Sequence, residues 1–232
     1  MSTRPVPTRR VLRQRIRRVI RPAWLGTLRR TTPLSDRWGY DRGRPIDRYY
    51  IEQFIAANRS DIRGRVLEVK DHLYTDRYGC DVVSADVIDN DAQNPNATIV
   101  ADLAAATSVP DHTFDCCIVT QTLQYIFDVS AAVRELHRML RPGGTLLVTV
   151  PVVTRLDPLA AYPDYWRFTT DSCARLFGSV FGDSHVSVAA HGNVLAAVAF
   201  LEGLAQEELN RSELDSHDPL FPVVVTVRSV KP

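Results

Sequence analysis

Seven short apolar or β-branched runs punctuate the chain, and several of the segments between them carry helical periodicity. That alternation limits the fold more than any other feature. The runs are RVLEV (65–69), DVVSADV (81–87), ATIVA (97–101), FDCCIV (114–119), TLLVTV (145–150), HVSVAA (185–190) and PVVVTVRS (222–229). Strands that are apolar almost throughout, with helices between them, belong to an α/β fold whose parallel sheet is covered on both faces. Right-handed crossovers make such a sheet doubly wound. Helices are predicted over 46–58 (IDRYYIEQFIAAN) and over NVLAAVAFLEGLAQEEL (193–209). A third begins at Asp128 or Ser130, lays Val133, Leu136 and Leu140 on one face, and ends at Pro142-Gly143-Gly144.

Composition separates an arm from this core. Residues 1–35 hold ten arginines and no acid, while the rest has 18 basic against 27 acidic residues, so a net charge of +1 conceals +10 beside −9. The expected domains are a basic arm, 1–35, and an α/β domain, 36–232. Within the arm, TRRVLRQRIRRVIR (8–21) spaces Leu12, Ile16, Val19 and Ile20 as an amphipathic helix. Such a helix suits an anionic membrane surface or a protein partner, or is a solvated extension. Nucleic acid is not expected, since no aromatic-basic interleaving or nucleic-acid module accompanies it. No apolar run approaches the ~20 residues of a membrane span. Cys80, Cys116, Cys117 and Cys173 lack metal-ligand spacing, and buried reduced thiols point to a cytoplasmic protein, peripheral to the membrane if the arm docks there.

In doubly wound sheets ligands sit beyond the carboxyl ends of the strands. Glu68 closes the first predicted strand, Asp86 the second and Asp102 the third, and Thr120, Gln121 and Thr122 follow the fourth. A carboxylate after the second strand can accept both hydroxyls of a ribose, and one after the third can accept from an exocyclic amine. Turn and capping roles are the competing reading.

The run Gly64–Pro151 resembles the core of class I S-adenosylmethionine-dependent methyltransferases, particularly the small-molecule type. The likeness is carried by RVLEV, SADV, VADL (100–103), HTFDCCIVTQTLQYIFD (112–128) and AVRELHRMLRPGGTLLVTVP (132–151). PDYWRFT (163–169) resembles the stretch that precedes a further helix in relatives. The resemblance implies a mostly parallel, seven-stranded sheet, with the strand-helix-PGG-strand unit beside S-adenosylmethionine. It implies Glu68 near the methionine amino group, Asp86 at the ribose, Asp102 at the adenine amine and Leu103 beside the ring. Thr120 and Gln121 would line the sulfonium side.

One departure stands out. Relatives follow the first strand with Gly-x-Gly, and here Lys70 and His72 occupy those positions. Three readings stay open: a wider loop in which Lys70, Tyr40, Arg42 or Arg48 meets the methionine carboxylate; a lysine that fills the site of a non-catalytic relative acting as scaffold; or a structured loop with Asp71 capping a short helix over 72–78. Methyl transfer chiefly needs alignment and exclusion of water, and a hydroxyl acceptor also needs a base. Asp164 and His191 are the candidate bases, with a turn and a helix cap as their alternative roles. Tyr162, Tyr165 and Trp166 are candidates for an aromatic wall facing a small, sugar or lipid-linked acceptor. No paired histidines or carboxylates suggest a catalytic metal.

Overall fold

The computed structural model describes residues 26–157 and 163–232. The arm helix expected over 8–21, and Tyr162, lie outside the described residues. The chain divides into Met1–Pro33 and Leu34–Pro232; the described part of the first holds one 3₁₀ turn, Gly26–Arg29.

The second unit is built on a seven-stranded sheet ordered β3-β2-β1-β4-β5-β7-β6. Its strands are β1 (Gly64–Val69), β2 (Val82–Asp89), β3 (Ile99–Val100), β4 (Phe114–Thr120), β5 (Leu140–Pro151), β6 (Val186–His191) and β7 (Val224–Val230). β7 runs antiparallel between β5 and β6, and the other pairings are parallel. From β1 the chain winds outward to β2 and β3, then returns to place β4 on β1's other side. A crevice therefore opens beyond the carboxyl ends of β1 and β4.

Side-chain alternation feeds two cores. Leu67, Cys117, Leu146 and Val148 face one cluster, where Val133, Leu136, Phe177 and Phe181 of α3 (Val129–Met139) and α4 (Thr170–Phe181) pack. Val66, Cys116, Ile118 and Leu147 face the other, with Ile51 and Ile55 of α1 (Ile46–Ala57) and Phe200 of α5 (Val194–Leu201). Each such buried side chain contributes roughly 1.5–3 kcal/mol. Two-sided burial is why these strands read as unbroken apolar runs.

α3 starts where Asp128 Oδ1 accepts from the Ala131 amide at 2.9 Å. It stops at Met139, before the proline and glycines expected to end it. Its carboxyl end is met by the buried Lys231 Nζ, which donates to the carbonyls of His137 (2.7 Å) and Leu140 (2.9 Å). Pro142-Gly143-Gly144 instead opens β5, so this turn lies at the edge of the sheet opposite the crevice rather than beside it. α4, which only the resemblance implied, begins with a reciprocal cap between Thr169 and Ser172.

The helix expected over 193–209 ends at Leu201. Gly203 takes φ +73°, and a Cβ there would stand 2.2 Å from the Ser35 carbonyl oxygen. The chain then turns into a short helix, α6 (Arg211–Asp215).

α2 (Leu73–Tyr78) follows β1 directly. Glu68 turns its carboxylate under this helix, accepting from the amides of Tyr74 (3.0 Å) and Thr75 (2.8 Å) and from Thr75 Oγ1 (2.7 Å). Asp71 Oδ1 accepts from the Leu73 amide at 3.0 Å, so the capping expected of Asp71 is present but shared with Glu68. Burial pushes the Glu68 pKa up, against the pull of those hydrogen bonds.

Glu68→Ala leaves two buried amides without acceptors. It should lower unfolding free energy in urea by about 2–3 kcal/mol and speed hydrogen exchange at Tyr74 and Thr75. Gly203→Ala should cost about 2–4 kcal/mol through contact plus backbone strain. Gly143→Ala, at φ +78° with nothing within 4 Å of the added carbon, should cost only about 1–2 kcal/mol.

Candidate active site

A cavity of about 640 Å³ occupies the crevice. Lys70 and Tyr74 line it after β1, Ile88 and Asp89 at the end of β2, and Asp102 and Leu103 after β3. Thr120, Gln121, Gln124 and Tyr125 come from the segment after β4, and Asp47 and Arg48 from the first turn of α1. Trp38 and Tyr40 complete a wall. That wall is tied to the far side, because Trp38 Nε1 donates to Thr154 Oγ1 at 3.1 Å and Arg155 lies over the indole at 4.4 Å.

Six of the nine residues expected at the site line this cavity: Lys70, Asp102, Leu103, Thr120, Gln121 and Asp164. Glu68 does not, since its carboxylate serves α2. Asp86 does not either. It sits opposite Leu67, within β2, and its oxygens are taken by Arg65 Nε (2.8 Å) and Thr98 Oγ1 (3.1 Å). β2 continues three residues further, so the strand-end acid is Asp89. Asn94 Nδ2 (2.7 Å) and the Asp91 amide (3.1 Å) hold the Asp89 carboxylate. Asp102 is likewise oriented, with Oδ1 accepting from the Ala104 amide at 2.9 Å.

His191 lies away from the cavity, because β7 is inserted between β5 and β6. Its Nε2 is 2.9 Å from Thr226 Oγ1, its ring stacks on Tyr50, and burial pushes its pKa down. The cap of α5 is Asn193, whose side chain accepts from the Ala196 amide at 3.0 Å. Asp164 lines the cavity, but Arg167 clamps both its oxygens at 2.5 and 2.8 Å. A carboxylate so held is a positioning group rather than a ready base.

The glycine-poor loop keeps glycine geometry. Lys70 adopts φ +77°, a conformation that costs a side-chain-bearing residue about 1–2 kcal/mol. Its amide donates to the Ile88 carbonyl at 3.1 Å and its carbonyl accepts from Asn94 at 2.7 Å. Gln121, at φ +47°, is a second strained residue on the same cavity. Of the other cations considered for this end, Arg42 pairs with Glu208 and does not line the cavity, whereas Arg48 does. Tyr165 and Trp166 are exposed outside the cavity, where both rings meet Phe127; Trp166 Nε1 donates to the Ile126 carbonyl at 3.0 Å.

Sequence reasoning missed Asp47, and it put Gln124 on an acceptor-side loop without counting it among the site residues. They are 9% and 4% exposed, and Asp47 Oδ1 and Gln124 Oε1 have no hydrogen-bond partner. Two buried acceptors left unpaired on one cavity fit a ligand rich in N–H and O–H donors. S-adenosylmethionine, with an amine, a diol and an ammonium, is such a ligand. Burial pushes the Asp47 pKa up, opposed by the neighbouring Arg48. The signal was present in IDRYY, where an acid falls among the inward positions Ile46, Tyr50 and Ile51.

A family model described as a methyltransferase domain matches residues 63–148. The ubiquinone/menaquinone biosynthesis C-methyltransferase UbiE of Pasteurella multocida (strain Pm70) is 38% identical over 73 residues, 32% of this chain and 27% of that protein. The chain therefore spans little more than a quarter of that relative. Among solved structures, a putative S-adenosylmethionine-dependent methyltransferase from Listeria monocytogenes superposes with a TM-score of 0.52 at 9% identity, covering 81% of this chain and 98% of that one. The [4+2]-cyclase SpnF gives a TM-score of 0.51 at 16% identity, covering 79% and 81%. Residues 63–148 are thus similar to a methyltransferase domain, and the likeness to these solved structures shows that the chain shares their fold.

Proposed function

We propose that the chain binds S-adenosylmethionine and methylates a small-molecule or glycosidic acceptor at oxygen. The observation that carries this reading is that Asp89 and Asp102, from successive strand ends, share one cavity with Thr120 and Gln121. When bound, the cofactor supplies a methyl group on a sulfonium that departs as a neutral thioether. Asp89 takes the ribose hydroxyls, Asp102 the adenine amine, and Leu103 with Ile88 forms the apolar slot for the ring. Thr120 and Gln121 flank the sulfonium side, and Lys70 stands at the amino-acid end. The unpartnered Gln124 Oε1 would accept from an acceptor hydroxyl and orient its oxygen, and the hydroxyl proton would pass to water as the methyl arrives, since Arg167 holds Asp164.

The exposed rings of Phe127, Tyr165 and Trp166 support a sugar or lipid-linked acceptor. They are anchored to the same segment, since the Tyr165 and Trp166 amides donate to the Gln124 carbonyl at 2.8 and 3.3 Å. Carbon is the second reading for the acceptor atom, favoured by the relative named as a C-methyltransferase. A methyltransferase-like scaffold without activity is the alternative at the level of the whole protein.

In calorimetric titration, S-adenosylhomocysteine should bind with micromolar affinity. Asp89→Ala should weaken it by about tenfold or more, whereas Asp86→Ala should leave it within about twofold, its partners lying outside the cavity. No heat from folded wild-type protein at millimolar ligand would favour the scaffold. Transfer from ¹³C-methyl-labelled cofactor should give a product whose NMR signal is an O-methyl; a C-methyl resonance would assign carbon. We further propose that residues 8–21 dock the protein on anionic membranes or a partner. The full chain should sediment with anionic vesicles and a chain beginning at Ser35 should not.

A further inference from the structure

We propose that the sheet edge onto which the cavity opens is a membrane-docking face, seated on an anionic bilayer by apolar side chains of the strand-end loops. The acceptor then enters the cavity from the lipid side, a consequence that rests on the methyl-transfer reading above. Attraction to the bilayer rests on the docking of residues 8–21 proposed there; the face itself is a separate assignment.

Large apolar side chains stand in solvent along this edge. Phe127 follows β4 and Leu156 follows β5, both largely exposed. Val194 and Leu195 follow β6, while Leu220, 80% exposed, and Phe221 precede β7. Register brings these last four to the same edge as the first two. β7 runs antiparallel, with Val224 opposite both Pro151 of β5 and His191 of β6. At the opposite edge, the turns immediately before β1, β4 and β6 expose no large apolar side chain among the described residues. Single exposed apolar residues are ordinary. One edge crowded with them and the other bare is a directional surface.

The loop before β7 presents its side chains on a satisfied backbone. The Asp218 amide donates to the Gly192 carbonyl at 3.0 Å, the Leu220 amide to Asp218 Oδ1 at 3.0 Å and the Phe221 amide to the Asp218 carbonyl at 3.1 Å. Asn193 Nδ2 fixes the same corner, donating to the Glu213 and Ser216 carbonyls at 2.7 Å. Leu220 and Phe221 can therefore enter a low-dielectric phase without carrying bare amides with them.

Charge and connection name the occupant. Residues 1–35 carry ten arginines and no acid. They join the domain at α5, where the Leu34 and Ser35 amides donate to the Glu202 carbonyl at 2.8 and 3.2 Å. α5 is the helix whose first turn presents Val194 and Leu195. A basic arm issuing from the helix that bears apolar projections matches anionic headgroups over an acyl layer. The rest of the chain has 18 basic against 27 acidic residues, so the arm alone tethers the domain without orienting it. The apolar edge supplies the orientation. Its projections come from four separate segments, and a fluid bilayer takes each without demanding shape complementarity.

The test is co-sedimentation of the full chain with mixed phosphatidylglycerol/phosphatidylcholine vesicles. The double variant Leu220→Ser/Phe221→Ser should bind about tenfold or more weakly than wild type and be released at lower salt. Val83→Ser alters an 84% exposed side chain at the start of β2 and should bind within about twofold of wild type. All three side chains face solvent, and urea unfolding reports whether each variant is folded.

Wild-type binding with no loss in the double variant overturns the face while leaving the docking of the arm intact. An equal loss in Val83→Ser also overturns it, because the effect is then not confined to this edge. Wild-type protein that stays in the supernatant overturns both. Cofactor binding is read separately by the S-adenosylhomocysteine titration, and none of these outcomes alters it.

Discussion

A sheet buried on both faces disfavours unpaired polar side chains along its central strands, and this constraint sets everything else. β1, β4 and β5 send alternate residues to two separate cores, so their interiors are apolar at nearly every position. Polar function is displaced to the places where strands stop. At the carboxyl edge the reversal of strand order leaves the ends of β1 and β4 uncovered by a crossover. The cavity is the space that this winding leaves open.

The same logic separates what was legible in the sequence from what was not. The strands were legible because two-sided burial writes itself as apolar runs. The helix start at Asp128 was legible because capping is local. Asp89 was not, because Asp86 and Asp89 both fall in one short strand. Which of them reaches the edge depends on pairing with β1, a contact between residues distant in sequence. His191 was misplaced for a related reason: it does end a strand, but the antiparallel insertion of β7 carries that strand away from the cavity. The early stop of α5 falls where Gly203 takes a left-handed φ of +73°, a local stop inside an otherwise periodic run. Asp47 was overlooked because an acid in a first helical turn is an ordinary dipole partner; only burial reveals that it faces inward.

The glycine-poor loop shows how geometry outlasts composition. Lys70 holds a left-handed backbone that glycine would adopt without strain, and its amide and carbonyl are both engaged. Glu68, expected to face the ligand, anchors the following helix from beneath. The loop is thereby fixed by side-chain carboxylates and an asparagine. Lys70, Arg48 and Asp47 line the cavity at this end.

Cys116 and Cys117 are neighbours in sequence, yet one belongs to each core, and burial holds both thiols in their protonated form. On an extended strand their sulfurs point in opposite directions, one toward the layer of α1 and α5 and one toward that of α3 and α4. The protein thus has an internal reporter for each half of its interior. A thiol-labelling time course resolved by residue would read out which helical layer lifts from the sheet first.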